Sequence, residues 1–138
     1  MRIKLDKGVG IMPTRAHAAD AGLDLYSPVD AIIPPRCSVT IDTGVHVELP
    51  QNTVGLLKSR SSLNIKHGIQ SGEGVIDVGY TGSISVKLYN HSNRGYIVEK
   101  GDKISQLVIL PILAPELELV DELGETERGT GGFGSTGR

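Results

Sequence analysis

The sequence contains little cysteine and few aromatic residues. It has one cysteine, one phenylalanine and no tryptophan among 138 residues. A single cysteine excludes an internal disulfide and a cysteine-based metal cluster. Because Cys37 lies in a stretch of alternating apolar residues, we predict that it is a buried small hydrophobe and not a catalytic thiol.

The chain also lacks a basic excess and a long apolar run. Its formal net charge of -2 argues against a nucleic-acid partner or an anionic membrane surface. The longest apolar stretch, QLVILPILAP, is too short to span a bilayer and contains Pro111. The opening residues MRIKLDKGVG have no apolar signal-peptide core. We therefore expect a soluble cytoplasmic protein with one globular domain.

Alternating apolar residues predict an all-β fold. Three stretches have apolar residues at every second position: Ile84, Val86 and Leu88; Val45, Val47 and Leu49; and Cys37, Val39 and Ile41. The stretch KISQLVILP is typical of a more central strand that ends at Pro111. Short strands separated by turn sequences such as SPVD and IPPR favour a sandwich, a jelly roll or a small barrel.

One stretch, SRSSLNIKHG, departs from the strand period. Serines begin it, Leu63 and Ile65 form a short apolar run, and Gly68 stands where a helix would stop. We predict one or two helical turns after Arg60. Such a segment is either a capped surface helix or, with its free amides beside an arginine, an anion site.

Two acidic stretches offer candidate catalytic groups. In AADAGLDLY, strand alternation would place Asp20 and Asp24 on one side of a strand, either as exposed carboxylates or as partners of Mg²⁺. In GEGVIDVGYTGSI, Asp77 lies in an apolar, glycine-flanked hairpin. Asp77 is either a turn cap or a general base, and Tyr80 either packs across strands or contacts a sugar or base.

The chain ends in ERGTGGFGSTGR, which is rich in glycine. Its G-x-G-x-x-G pattern is not a dinucleotide fingerprint, because that motif needs a strand before it and a helix after it. Glycine amides, the Ser135 and Thr136 hydroxyls and the Arg128 charge suit a phosphate, and Phe133 suits an aromatic group. The segment is either a disordered terminus or a lid that orders over an anionic, aromatic ligand.

Five motifs occur together in this order: AGLDL around Gly22, SRSSL at 59–63, GVIDVGYTG at 74–82, GDKISQL at 101–107 and RGTGGFGSTG at 128–137. The chain thereby resembles the trimeric deoxyuridine triphosphate nucleotidohydrolases, or dUTPases, from Ala21 to Gly137. It departs from the family at Lys103, where arginine is commoner, and in KSRSSL, which replaces the more usual small or proline residue before the arginine-serine pair.

The resemblance implies a distorted jelly roll (a dUTPase-like β-clip barrel) with one short helix. It also implies a homotrimer with sites at the subunit interfaces. Residues 1–127 would form the β domain. Residues 128–138 would form a flexible lid, an arm that closes over a neighbouring subunit.

The resemblance further implies hydrolysis of dUTP to dUMP and pyrophosphate. Asp77 would be the general base, and Asp24 would contact Mg²⁺ through water. Uracil and deoxyribose would be bound by Gly74, Ile76 and Tyr80. The substrate-binding residues of the phosphate clamp and the lid would be Arg60, Ser61, Ser62, Gln106, Arg128, Phe133, Gly134, Ser135 and Thr136.

Two alternatives remain open at the level of sequence. One is a deoxycytidine triphosphate deaminase, which shares the fold but acts on the base. The other is a nucleotide-gated regulatory binding protein. A retained Asp77, which binding alone does not require, favours hydrolysis, as do the GVIDVGY and C-terminal motifs.

Overall fold

The computed structural model describes residues 1–132, which contain eleven strands and one short helix. The strands are β1 (Arg2–Leu5), β2 (Gly22–Tyr26), β3 (Ala31–Ile33), β4 (Ser38–Asp42), β5 (Val45–Glu48), β6 (Thr53–Lys58), β7 (Ile69–Ser71), β8 (Gly74–Ile76), β9 (Ser85–Asn90), β10 (Tyr96–Val98) and β11 (Lys103–Pro111). The helix, α1, spans Ser61–His67. The prediction of an all-β fold with one short helix is confirmed.

The described strands pair only in antiparallel fashion, in four sheets. The largest has the order β2-β11-β6-β8, the second has the order β4-β9-β7, and β1-β5 and β3-β10 form two-stranded sheets. As predicted, β11 is central, with β2 on one side and β6 on the other. Gln106 on β11 therefore lies between Asp24 and Lys58 of the neighbouring strands.

The core is formed by the inward-facing apolar residues of these sheets. Ile84, Val86 and Leu88 are almost completely buried, as are Val45 and Val47. Their burial confirms the alternation predicted for these two stretches. Because an antiparallel strand with one face in the core buries every second side chain, the residues between the buried positions of β9 point toward solvent.

Two predictions about strands were wrong. Cys37 is exposed, because β4 begins one residue later at Ser38 and Cys37 belongs to the preceding turn. The segment around Asp77 is not a hairpin, because β8 pairs with β6 whereas β9 pairs with β4 and β7. Asp77 therefore lies on a connection between two sheets.

The helix α1 begins and ends where the sequence indicates. Arg60 is its N-cap in an extended conformation, and Gly68 is its C-cap with a left-handed φ of 68°, a conformation that glycine adopts without strain. The helix opens with Ser61 and Ser62 directly after Arg60, as predicted, but no side chain caps its first turn. Across residues 1–132, no helix is both long and apolar enough to cross a membrane.

Candidate active site

The start of α1 and the centre of the largest sheet form a cleft of about 350 Å³, here called the α1 cleft. The residues that line it are Ala16, Asp20, Ala21, Gly22, Asp24, Arg60, Ser61, Ser62 and Gln106. Strand pairing explains this grouping, because β11 presents Gln106 beside Asp24 of β2. Arg60 follows β6, the other neighbour of β11. Five predicted site residues, namely Asp24, Arg60, Ser61, Ser62 and Gln106, are thus brought together.

Asp24 is buried and paired with two cations. Its Oδ1 lies 3.0 Å from Arg60 Nε, and its Oδ2 lies 2.8 Å from Lys103 Nζ. The hydrogen bond to Asp24 raises the pKa of Lys103. Arg60 Nη1 also donates to the Lys103 carbonyl oxygen at 3.4 Å. Both carboxylate oxygens are therefore paired, and the Arg60 guanidinium is held at the cleft by Asp24 and by the Lys103 carbonyl oxygen.

Asp20 has a different role from the one the strand pattern predicted. It lies before β2, so it does not share a strand face with Asp24. Its Oδ2 accepts a hydrogen bond from the His17 amide at 2.9 Å, and its carbonyl oxygen accepts one from Arg15 Nε at 2.8 Å. Asp20 therefore stabilises the loop at the edge of the α1 cleft.

Gln106 is oriented by its neighbours in the cleft. Its Nε2 donates to the Ser59 carbonyl oxygen at 3.0 Å. A Cβ at position 22 would collide with the Gln106 side-chain amide, so the glycine at 22 is what leaves room for this orientation. Gly22 thus allows the Gln106 side chain to contact the Ser59 carbonyl oxygen, just before α1.

A second cleft of about 290 Å³, here called the β8 cleft, contains the other predicted group. It is lined by Leu57, Gly74, Val75, Ile76, Asp77, Tyr80, Ser83, Ile84 and Ser85. Asp77 is exposed at its edge, and the Tyr80 amide donates to the Asp77 carbonyl oxygen at 3.1 Å, which closes a turn. The arrangement places an exposed carboxylate beside a largely apolar cleft.

Tyr80 folds back on its own loop. Its hydroxyl donates to the Ser83 carbonyl oxygen at 3.0 Å. A Cβ at position 82 would lie 2.6 Å from the Tyr80 Cζ atom, so Gly82 is what allows this ring position. The sequence patterns did not identify Gly82, because its importance depends on where the ring packs.

Asp42 holds the end of the same loop. Its Oδ1 accepts hydrogen bonds from the Ser83 hydroxyl and from the Gly44 amide. The Ser83 bond, and then the Gly44 bond, lower the pKa of the Asp42 carboxyl group. The loop that begins with Asp77 is therefore attached to the turn between β4 and β5.

The α1 and β8 clefts share no lining residue within one described chain. Arg128 lies outside both, and its Nε donates to the Gly131 carbonyl oxygen at 2.9 Å. Phe133, Gly134, Ser135 and Thr136 lie outside the described residues. Of side chains within 1–132, no group of three or more His, Cys, Asp and Glu could hold a metal ion by itself.

A family model described as dUTPase matches residues 9–137. The chain is 46% identical to the deoxyuridine 5'-triphosphate nucleotidohydrolase of Clostridium tetani, covering 100% of this chain and 97% of that protein. It is 44% identical to the enzyme of the same name from Eremothecium gossypii, covering 99% and 90% of the two chains.

Solved structures give the same result. A mutant dUTPase of Staphylococcus bacteriophage 80alpha with dUpNHpp superposes with a TM-score of 0.92 at 34% identity, over 99% of this chain and 98% of that one. A mutant dUTPase from phage phi11 of S. aureus, described with a structural Mg(II) ion, gives a TM-score of 0.81 at 31% identity. That match covers 88% of this chain and 96% of the phage chain.

Proposed function

The chain belongs to the dUTPase family, and from that premise we propose that it hydrolyses dUTP to dUMP and pyrophosphate. This reaction keeps uracil out of DNA and supplies dUMP for dTMP synthesis. The observation that carries the proposal is the β8 cleft, in which Asp77 and Tyr80 flank the Gly74–Ile76 strand. The same cleft contains a carboxylate that can accept a proton from water and a surface against which a nucleoside can lie.

The nucleoside part of dUTP is assigned to the β8 cleft. The peptide groups of Gly74 and Ile76, the first and last residues of β8, offer donors and acceptors for the uracil edge. Tyr80 is 46% exposed and presents its ring as a surface, against which a deoxyribose would lie with no space for a 2′-hydroxyl. The apolar lining would favour desolvation of the base.

The triphosphate is assigned to the α1 cleft. Arg60 carries the positive charge, Ser61 and Ser62 are exposed donors at the start of α1, and Gln106 adds an amide. Because Asp24 and Lys103 fix the guanidinium of Arg60, little ordering of that side chain remains to be done on binding.

The hydrolytic step is assigned to Asp77. Its carboxylate takes a proton from a water molecule, whose oxygen attacks the α-phosphorus while the bond from that phosphorus to the pyrophosphate oxygen breaks. General-base assistance of this kind is typically worth about 10²–10⁴-fold in rate. The exposure of Asp77 supports this role, since a water molecule has free access to its oxygens.

Magnesium fits the α1 cleft as an ion held mainly by the triphosphate. Asp24 is the buried carboxylate there, and both of its oxygens already contact cations, which suits contact through water better than direct ligation. When bound, the ion would neutralise negative charge on the phosphates and the leaving group. A related phage dUTPase is described with a structural Mg(II) ion.

A homotrimer would bring the two clefts together. In a single chain the two clefts share no lining residue, and we assign each dUTP site to groups from more than one copy. The segment after β11 supports assembly, because Leu113, Leu117 and Leu119 are each at least 94% exposed. We assign residues 128–138 as a lid over a neighbouring subunit, with Arg128, Phe133, Gly134, Ser135 and Thr136 contacting the nucleotide.

The test is pyrophosphate release from dUTP, UTP, dTTP and dCTP, each with and without magnesium. We expect release from dUTP, strongly dependent on magnesium, and little from the other three. Ammonia release from dCTP with dUTP left intact would instead establish a deaminase.

A further inference from the structure

The His46 side chain links the N-terminal strand region to the loop that carries Asp77 and Tyr80. Its Nδ1 lies 2.7 Å from the Thr81 carbonyl oxygen, and its Nε2 lies 3.0 Å from Asp6 Oδ1. Only 15% of the His46 side chain is exposed. We propose that His46 is a positioning residue that holds this loop by donating hydrogen bonds from both ring nitrogens. The inference deepens the proposed dUTP hydrolysis and rests on it, because it concerns the loop assigned to that reaction.

The chemistry of the two partners determines the protonation state of the ring. A backbone carbonyl oxygen and a carboxylate oxygen both accept hydrogen bonds and do not donate them. A neutral imidazole has one N–H, so only the imidazolium form donates to Thr81 and Asp6 together. On deprotonation, one ring nitrogen turns a lone pair toward an acceptor oxygen, and that contact becomes repulsive.

The His46 ring lies among charged side chains. Asp6 accepts the hydrogen bond from Nε2, and Lys4 is the cross-strand partner of His46. Lys4 Nζ lies 3.9 Å from the same Asp6 oxygen that faces the ring. The charged residues on the strands and turns around His46 are Arg2, Lys4, Asp6, Asp42 and Glu48.

The position of Thr81 explains why the link matters. Thr81 is adjacent to Tyr80, whereas the other attachments of this loop to the β4–β5 turn begin later, at Ser83 and Ile84. The Ile84 carbonyl oxygen, for example, accepts a hydrogen bond from the Thr43 hydroxyl at 2.7 Å. Of these contacts to the loop, the one between His46 and Thr81 is therefore made at the loop position nearest to Asp77 and Tyr80.

The direct test is NMR of the His46 ring in the intact protein between about pH 5 and about pH 9. We expect both ring nitrogens to carry protons in the acidic part of the range. The Thr81 and Tyr80 amide signals should then shift with the same midpoint as the ring. In Asp6→Asn the Nε2–H signal should change, because the carboxylate that accepts this hydrogen bond is replaced by an amide. A ring with one N–H throughout, or amide signals that do not follow the ring, would overturn the inference.

Kinetics supply a second test. His46→Ala should lower kcat/KM for dUTP about tenfold, since small misplacements of reacting groups are costly. His46→Gln, which keeps a side-chain amide donor, should recover part of the loss and flatten the pH profile. His91→Ala is the control, because the His91 ring contacts Gln70 at 3.0 Å and lies outside this loop. Wild-type kinetics in both His46 variants would contradict the role.

The two tests separate this inference from the proposed function. If dUTP is not hydrolysed by the wild-type protein, the proposed function fails, and the NMR titration still decides whether His46 holds the loop. Should His46→Ala fail to fold, His46→Gln and Asp6→Asn provide the same comparison.

Discussion

Asp24 and Lys103 form an ion pair across adjacent strands of the largest sheet, with 2.8 Å between Asp24 Oδ2 and Lys103 Nζ. Arg60 holds the other carboxylate oxygen at 3.0 Å. Asp24 and Lys103 lie far apart in the sequence. Their contact, together with that of Arg60, holds the Asp24 carboxylate and the Arg60 guanidinium in place at the α1 cleft.

Asp24→Asn should therefore raise the magnesium concentration needed for half-maximal dUTP hydrolysis. The uncharged amide attracts the water shell of the magnesium ion less strongly than a carboxylate does. It also no longer neutralises the positive charges of Arg60 and Lys103. Activity measured across a magnesium series gives the midpoint directly.

Asp20→Asn is the matched control for this prediction. Asp20 lines the same cleft, but its carboxylate caps the His17 amide, a role in which asparagine also serves well. An equal increase in the magnesium requirement in both variants would contradict the assignment of Asp24.

The stability of the protein in acid should depend on Asp42. Its pKa is lowered in the folded state by the Ser83 hydroxyl and the Gly44 amide, whereas an unfolded aspartate titrates near 3.9. The stabilisation is therefore present above about pH 4 and is lost as the pH falls through the lower folded-state pKa.

Thermal melts from about pH 6 down to about pH 3 would measure this effect. The melting temperature of Asp42→Asn should fall less over this range than that of the wild type. Glu116→Gln, in the exposed segment after β11, should retain the wild-type dependence. A wild-type dependence in Asp42→Asn would show that Ser83 and Gly44 do not bind the charged form preferentially.

Much of the β fold could be predicted because burial follows a period of two along a strand. Ile84, Val86 and Leu88 show this pattern without interruption, and all three are buried. The same pattern does not tell where a strand begins. Cys37 and Asp20 were misassigned for that reason, since β4 begins just after Cys37 and β2 begins after Asp20.

The motifs predicted which residues gather at the clefts, but not the contacts that orient them. The ion pair of Asp24 with Lys103 depends on the register of β2 against β11, which contains an irregularity between Lys103 and Ser105. His46 gave no signal, because it has no metal-ligand spacing to the other histidines and its contacts with Thr81 and Asp6 join distant parts of the sequence. Such contacts arise from sheet register, which a single sequence does not specify.

Gly82→Ala should weaken discrimination between dUTP and UTP. The new Cβ would come within 2.6 Å of the Tyr80 Cζ atom, so the ring must leave the position in which we expect it to contact the deoxyribose. The ratio of kcat/KM for dUTP to that for UTP should fall severalfold, with little change in melting temperature. The ring lies near the surface and can move without opening the core.

Gly95→Ala is the control for Gly82→Ala, because the nearest atom to its added Cβ is the Ile33 carbonyl oxygen at 4.0 Å. Unchanged substrate selectivity in Gly82→Ala would show that the Tyr80 ring position does not exclude the 2′-hydroxyl.

Asp77→Asn should reduce turnover of dUTP by at least about 10²-fold and leave its binding largely intact. The amide preserves the shape of the side chain and loses the basic oxygen. Affinity for a nonhydrolysable dUTP analogue, measured by calorimetry, separates binding from chemistry. Near-normal turnover would exclude Asp77 as the base.

Removal of residues 128–138 should abolish most dUTP hydrolysis and leave the melting temperature of the nucleotide-free protein nearly unchanged. Within the described part of this segment, the Arg128 side chain and the Gly129 and Gly131 amides bond to neighbours three residues away. Such local contacts add little to the stability of the β domain. A large fall in melting temperature would mean that the segment is structural.

Mixing subunits tests whether the lid acts on a neighbour. A trimer that combines Asp77→Asn subunits with lid-deleted subunits has sites that receive Asp77 from one chain and an intact lid from another. Partial recovery of dUTP hydrolysis is expected in verified mixed trimers, because neither parent has both groups at one site. If the lid instead closes over the Asp77 of its own chain, every site lacks one of the two groups and mixing restores nothing.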